Sequence, residues 1–305
     1  VLKIQPINSQ TKWIRVHQPD DQDRQSLIND FEVTTEMLNY AIDPDERARV
    51  ESDEAAKITL LIFDVFVADM NSSKPQTAPV GIMFTADNLI TFTNDQTIFV
   101  TDLISQQLER TDHDLEEIET VDLILPVLYQ LSTAYFAPIR SADKQRLNIQ
   151  RSLEKRTERS AIASFMNLET GLVYIVTSLN TDAALLQELR RRSSNLSQSQ
   201  LELLDDVIIE AKQGLEMAQT TSDIIERVSN AYSKVLDSNL NNTMRFLTIY
   251  SIVLTVPASV FGFFGQNVHL PFSTSPVGWE LTLVVTLVLV IIASFLLWGS
   301  IFRRK

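Results

Sequence analysis

Residues 246–279 contain no Asp, Glu, Lys or Arg, and residues 281–302 again contain none. Nothing else in the chain restricts its fold so severely. A helix needs about 20 consecutive, mostly apolar residues to cross the hydrocarbon of a bilayer. Residues 246–264 approach that length and 281–302 exceed it. Basic residues flank the pair of segments and are absent between them. Arg245 precedes the first, and Arg303, Arg304 and Lys305 follow the second. Lys and Arg favour the cytoplasmic side, so both termini are expected in the cytoplasm and the connector outside a plasma membrane. The expected plan is a cytoplasmic α/β domain over 1–195, a stalk helix over 196–245 and a first membrane helix over 246–264. An outer loop over 265–280, a second membrane helix over 281–302 and a basic tail over 303–305 complete it.

Charge and composition narrow the chemistry of the rest. Of 26 basic and 39 acidic residues, all but four and one respectively lie in residues 1–240, leaving that segment at −16. Such a balance excludes nucleic acid as a partner and suits a part that attracts cations. With no cysteine in 305 residues, disulfides, thiolate metal sites and cysteine nucleophiles are excluded. His17, His113 and His269 are too far apart in sequence to form a local metal cluster. There is no GxxxxGK[ST] phosphate loop and no HExxH helix. The chain therefore reads as a non-enzyme without a cofactor, its ligands being membrane lipid, divalent cations and other copies of itself.

Within the acidic part, residues 2–19 read as short extended pieces, and Asp20-Asp21 open a helix reaching to about Phe31. "TTEMLNYAID" predicts a short helix stopped by Pro44. "KITLLIFDVFVAD" is a β-rich apolar run, and "PVGIMFTADNLITFT" predicts two strands turning at Ala86-Asp87-Asn88. From about Val121 the pattern becomes helical. "DHDLEE" at 112–117 reads as a helix start, although its carboxylates also suit a metal.

A long helix follows. Leu201, Leu204, Ile208, Ala211, Leu215 and Ala218 recur at steps of three and four, and the seam continues through Ile225 and Tyr232. From Leu196 to Phe264 the only proline is Pro257 and the only glycines are Gly214 and Gly262. An uninterrupted helix of that length rises roughly 100 Å and is unstable alone. It is expected to pack against its own head and against copies of itself. In the first membrane segment, Asn241, Met244, Thr248, Ser251, Thr255, Ala258 and Gly262 share one face, smaller and more polar than the face of Phe246, Ile249, Val253, Val256, Val260 and Phe263. Small and hydroxyl residues serve either close helix packing or the lining of a pore.

Glycine is scarce, with seven in the chain, yet Gly262 and Gly265 stand three apart just before Gln266-Asn267. The two glycines are expected to let the backbone turn and let chains approach. Rings of the two amides around a symmetry axis would offer uncharged oxygen acceptors to a hydrated divalent ion, and Mg²⁺ keeps its waters tenaciously. Glu280 is the one charge between the spans and either concentrates cations at the outer mouth or sits at the interface beside Trp279.

The stretch "NNTMRFLTIYSIVLTVPASVFGFFGQN", preceded by "LLDD" and "AYSKVLDSNLNNTMR", resembles the stalk and first membrane helix of the CorA family of divalent-cation transporters, whose signature is Gly-Met-Asn. Here the signature reads Gly265-Gln266-Asn267. The resemblance implies a funnel-shaped homopentamer carrying Mg²⁺ or Co²⁺, with the first span lining the pore and the second facing lipid. It also implies a cytoplasmic metal-sensing site at Asp206, beside Asp205, and an acidic ring at the pore entrance. This chain has Asn230 at that entrance, with Asp223 and Asp237 two turns to either side. The Gln266 variant leaves two alternatives open: a Zn²⁺ transporter of the ZntB type, and a membrane-anchored scaffold or sensor that does not conduct.

Overall fold

The computed structural model describes residues 1–53, 55–67, 76–110, 119–155, 159–193, 196–266 and 276–302. The "DHDLEE" stretch, Asn267, His269 and the basic tail lie outside the described residues. The chain opens with β1 (Leu2–Pro6), β2 (Lys12–His17), α1 (Asp21–Asp30), α2 (Thr35–Ile42) and β3 (Arg49–Asp53). It continues with β4 (Ile58–Val67), β5 (Gln76–Phe84), β6 (Asn88–Thr93), α3 (Phe99–Arg110) and α4 (Thr120–Ala134). Four helices complete it: α5 (Phe136–Lys155), α6 (Arg159–Arg192), α7 (Gln198–Phe264) and α8 (Gly278–Phe302). Contacts divide it into two units, residues 1–229 and 230–305, with α7 belonging to both.

In the first unit the six strands form one mixed sheet in the order β1-β2-β6-β5-β4-β3. β4 explains why the apolar run from Ile58 is nearly continuous: it is covered on both faces. Leu61, Phe63 and Val65 face a core completed by α3, α4, α6 and the start of α7. Ile58, Leu60 and Ile62 face a second core with Leu27 of α1 and Met37, Leu38 and Ala41 of α2. Gly81 on β5 permits the close seating of α2. A Cβ there would stand 3.0 Å from the Ala41 carbonyl oxygen and 3.2 Å from the Phe92 ring. Asp20 caps α1 by accepting from the Asp23 N–H at 2.8 Å. The turn at 85–88 joins β5 and β6 as an antiparallel pair, as expected. β3 and α3 are not anticipated by the sequence reading. β3 is a five-residue edge strand rich in charge, which weakens the alternation by which strands are recognised.

The long helix is continuous from Gln198 to Phe264. Ser197 and Gln200 cap its start reciprocally: the Gln200 N–H donates to Ser197 Oγ at 3.3 Å and the Ser197 N–H to Gln200 Oε1 at 2.9 Å. Gln200 Nε2 then donates to Glu119 and Asp122 at the start of α4, at 3.0 and 2.9 Å. The heptad-like seam packs against the chain's own head, one of the two partners expected for it. Leu204, Ile208, Ala211, Ala218 and Ile225 are buried by the chain's own residues, the first three in the core beneath the sheet. That spacing therefore does not by itself call for a second copy.

Three helices are long and apolar enough to cross a membrane among the described residues: α6, α7 and α8. Only the last two are expected from the sequence, and burial explains the difference. One third of the apolar window of α6 is buried, against 6% for each of the others. Leu172, Ile175, Leu179 and Leu186 of α6 are spent on the core of the head. α6 therefore belongs to the head, and the end of α7 and α8 are the largely unburied candidates for crossing a membrane.

Candidate cation pathway

The second unit pairs the end of α7 with α8. On α7 the sheltered positions are Ile249, Ile252, Val253, Val256, Pro257, Val260 and Phe264. On α8 they are Thr282, Thr286, Val290, Ala293 and Ser294, one stripe at helical spacing. Within the unit's described membrane-length segments, these stripes are the surfaces that can cover each other. Thr282 and Thr286 turn their hydroxyls onto the carbonyls of Gly278 and Thr282, at 2.9 and 2.7 Å, so neither leaves a polar hydrogen facing α7.

Asn241, Met244, Thr248, Ser251, Thr255, Ala258 and Gly262 are all exposed, on a face of α7 turned away from that seam. Asn230 and Asp237 precede them at the same helical register and are exposed too. Asp223, seven residues before Asn230 and in the first unit, is likewise exposed. Thr248 donates its hydroxyl to the Met244 carbonyl at 2.8 Å, and Thr255 to the Ser251 carbonyl at 2.7 Å. A hydroxyl whose hydrogen is committed to its own helix presents only lone pairs outward. The face thus offers acceptors, and the hydrogens of a cation's water shell need acceptors.

The sequence reading divides this helix into two faces; the structure has three. Phe246 and Phe263, expected opposite the polar face, are exposed rather than packed. Leu247, Tyr250, Leu254 and Phe261 form a third, large and apolar exposed face, suited to lipid. The signal was present in the spacing, since these residues also recur at three, four and seven.

The two glycines differ. Gly262 lies inside α7, and a Cβ there would meet nothing within 4 Å. It makes no turn and leaves a notch on the exposed face. Gly265 closes the helix, its N–H donating to the Phe261 carbonyl at 2.8 Å. A Cβ at Gly265 would come within 2.9 Å of that same oxygen, so this glycine is required by close approach. Among the described residues no glycine has a positive φ, so the expected left-handed turn is not the reason for either. Gln266 follows, exposed; Asn267 lies outside the described residues. Glu280 is exposed in the first turn of α8, where a carboxylate is favoured by the helix dipole, and not in the connector as expected.

Asp205 and Asp206 are separated in role by their partners. Arg190 forks onto Asp205, Nε to Oδ1 at 2.9 Å and Nη2 to Oδ2 at 3.4 Å. Asp205 is therefore engaged by a cation of its own chain, a partner that the run Arg190-Arg191-Arg192 at the end of α6 could have signalled. Asp206 is exposed, near Glu210 and Tyr129. The Tyr129 hydroxyl donates to Glu210 Oε1 at 3.3 Å, and its pKa is raised by Glu210 first and, more weakly, by Asp206. Among the described residues no group of three or more His, Asp or Glu side chains gathers closely enough to hold a metal. Asp206 alone does not make such a site within one chain.

An α/β head, a long helix and apolar helices able to cross a membrane, with an acceptor-bearing face on one of them, are the features of a membrane transport protein. The chain matches, over residues 8–304, the family described as CorA-like Mg2+ transporter protein, and it belongs to that family. It is 22% identical to the cobalt/magnesium transport protein CorA of Methanocaldococcus jannaschii over 295 residues, 96% of this chain and 90% of that protein. The complete structure of the CorA magnesium transporter from the same organism superposes with a TM-score of 0.77 at 21% identity, covering 97% of this chain and 91% of that one. The cytoplasmic domain of ZntB from Vibrio parahaemolyticus RIMD 2210633 gives 0.60 at 13% identity, covering 77% of this chain and 90% of that domain. At these identities both structures speak to the fold alone.

Proposed function

We infer that the chain transports divalent cations of the Mg²⁺ class across the plasma membrane as a funnel-shaped homopentamer, with both termini in the cytoplasm. The observation that carries this reading is the exposed face of α7 from Asn241 to Gly262. It is polar or small, it is left uncovered by α8, and its threonines turn lone pairs outward. A single copy has no use for such a face in lipid; copies arranged about an axis enclose it. In that arrangement Gly265-Gln266-Asn267 forms the outer mouth, where amide oxygens select hydrated ions. Asp223, Asn230 and Asp237 stand toward the cytoplasmic end. An interior-negative potential contributes about 2.3 kcal/mol per charge per 100 mV, so roughly 4.6 kcal/mol for a divalent ion. That drives inward flux through a gated channel without nucleotide.

Uptake into proteoliposomes tests the reading. Wild-type protein admits Mg²⁺, and Asn267→Ala lowers the rate by roughly tenfold or more, as expected when a ring of ion-facing oxygens is removed. Uptake of Zn²⁺ with a pH dependence, and none of Mg²⁺, would instead indicate transport of the ZntB type. No cation flux from assembled oligomers would leave the non-conducting scaffold or sensor.

The cytoplasmic sensing site follows the same logic. Asp206 is free of a basic partner at its carboxylate among the described ion pairs, whereas Asp205 is held by Arg190. In full-length protein, Asp206→Ala is expected to abolish Mg²⁺-dependent protection from proteolysis, while Asp205→Ala retains most of it. Equal loss in both variants would mean that the two aspartates act as one ligand pair.

A further inference from the structure

The head contains a carboxyl group that the transport reading does not use. β3 pairs with β4 only as far as Ile62, so beyond it β4 has an open edge. On the other side Asp64 is paired with Pro79, which has no N–H to exchange, so the Asp64 backbone groups point toward that open edge. Two side chains take the place of the missing strand. Asp182 of α6 accepts from the Asp64 N–H through Oδ1 at 2.9 Å. The Tyr135 hydroxyl donates to the Asp64 carbonyl at 3.0 Å.

An asparagine at position 182 would satisfy the Asp64 N–H equally well. The carboxyl group adds only Oδ2, which is fully buried and has no hydrogen-bond partner. No basic side chain pairs with Asp182 among the described residues. Of the basic groups on elements packed against α6, Arg49 on β3 turns to Glu46 and Glu51, and Arg146 on α5 to Asp143. The titratable groups that do face it are Asp64 from β4 and Tyr135 from the α4–α5 junction. Ser178, one turn before Asp182 on α6, hydrogen-bonds Thr77 at 2.8 Å and also reaches the Asp64 carboxyl group. A buried carboxylate without a countercharge, beside a second carboxylate, is far more costly than the neutral acid.

We propose that Asp182 and Asp64 form a proton-binding site at the open edge of β4, holding one proton at neutral pH, and that loss of this proton loosens α6 from the sheet. Burial raises the Asp182 pKa well above the ordinary carboxylate range, the Asp64 charge raising it further. Burial likewise raises that of Asp64, against the hydrogen bond from Ser178. In the unfolded chain the same groups ionise near pH 3.9. Below that value both states hold the proton and pH has no effect through this pair. As pH rises, the unfolded state gives it up first, so the folded head loses stability until its own pKa is passed.

Infrared difference spectra and thermal unfolding of the full-length protein in detergent test the site. Wild type is expected to show a protonated-carboxyl band at neutral pH that Asp182→Asn lacks. Its melting temperature should fall toward alkaline pH, while that of Asp182→Asn stays nearly flat and lies a few degrees higher there. Should Asp182→Asn fail to fold, Asp64→Asn serves, since it keeps both backbone bonds. Without the neighbouring charge, Asp182 holds its proton less tightly, and the band titrates away at lower pH than in wild type. Absence of the band in wild type, parallel melting profiles, or an unchanged titration in Asp64→Asn would each overturn the proposal. So would loss of the band on adding Mg²⁺ alone at neutral pH, which would make the pair a metal site. None of these readings depends on transport.

Discussion

Leucine in place of Gly262 is expected to cut cation uptake sharply while the protein still folds and assembles. The first half follows from position. Gly262 lies on the exposed face of α7, four residues after Ala258 and seven after Thr255, near the end of the helix that leads to Gln266. In the proposed assembly, copies set around an axis would bring a ring of leucines together where there is now only backbone. A ring of apolar side chains in a narrow path expels water, and a divalent ion that travels with its water shell cannot pass. The second half follows from geometry: a Cβ at this position meets nothing within 4 Å and points into open space in the single chain. The expected loss is roughly tenfold or more in initial uptake rate, with an unchanged elution position on size-exclusion chromatography. Leu254→Ala, on the apolar exposed face, is the matched control and should leave uptake near wild type. A Gly262→Leu protein that conducts normally would mean that this face does not line the path.

Trp13→Ala should be the most damaging single change in the head. Trp13 on β2 is completely buried, and its indole N–H donates to the buried Thr91 hydroxyl at 3.0 Å. The Arg15 guanidinium also lies 4.2 Å from the centre of the ring. Truncation removes the ring from the core, leaves a cavity and strips Thr91 of its donor. Changes of this type cost about 3–5 kcal/mol. In a unit of this size each kcal/mol is worth roughly 2–4 °C, so head unfolding should begin some ten degrees earlier. Trp13→Phe, which keeps most of the volume, should recover more than half of the loss. A shift of only one or two degrees in Trp13→Ala would show that the core on this side of the sheet collapses readily onto the gap.

How far the molecule was readable in advance depended on the range of the interactions. The two charge-free runs are local, and they mark α8 and the end of α7 as helices able to span a membrane without help from distant residues. Thr248, Ser251, Thr255 and Gly262 are spaced at helical intervals, so their common face was also legible. The seam from Leu204 to Ile225 was legible as a buried stripe, but periodicity does not say what covers it, and the head proved to be the cover. α6 is apolar enough to resemble a third span, and only its burial against the sheet separates the two uses. Least accessible were contacts between residues distant in sequence. Asp64 and Asp182 stand 118 residues apart, and nothing near either one hints that a side chain completes an interrupted strand ladder. Arg190 and Asp205 are fifteen apart across a helix junction, within reach of inspection once the run of arginines is noticed.

The unfinished edge of β4 has a bearing on how the protein is made as well as on how it titrates. An exposed strand with free N–H and C=O groups is a template onto which another polypeptide can add. A membrane protein whose copies gather in one patch of bilayer places many such heads side by side, at high local concentration, before they are properly arranged. At Asp64 both backbone groups are already occupied by Asp182 and Tyr135, and the strand beyond Ile62 has nothing to offer a neighbour at that point. An incoming strand therefore finds no free backbone group at Asp64, at the place where the head's own sheet stops short.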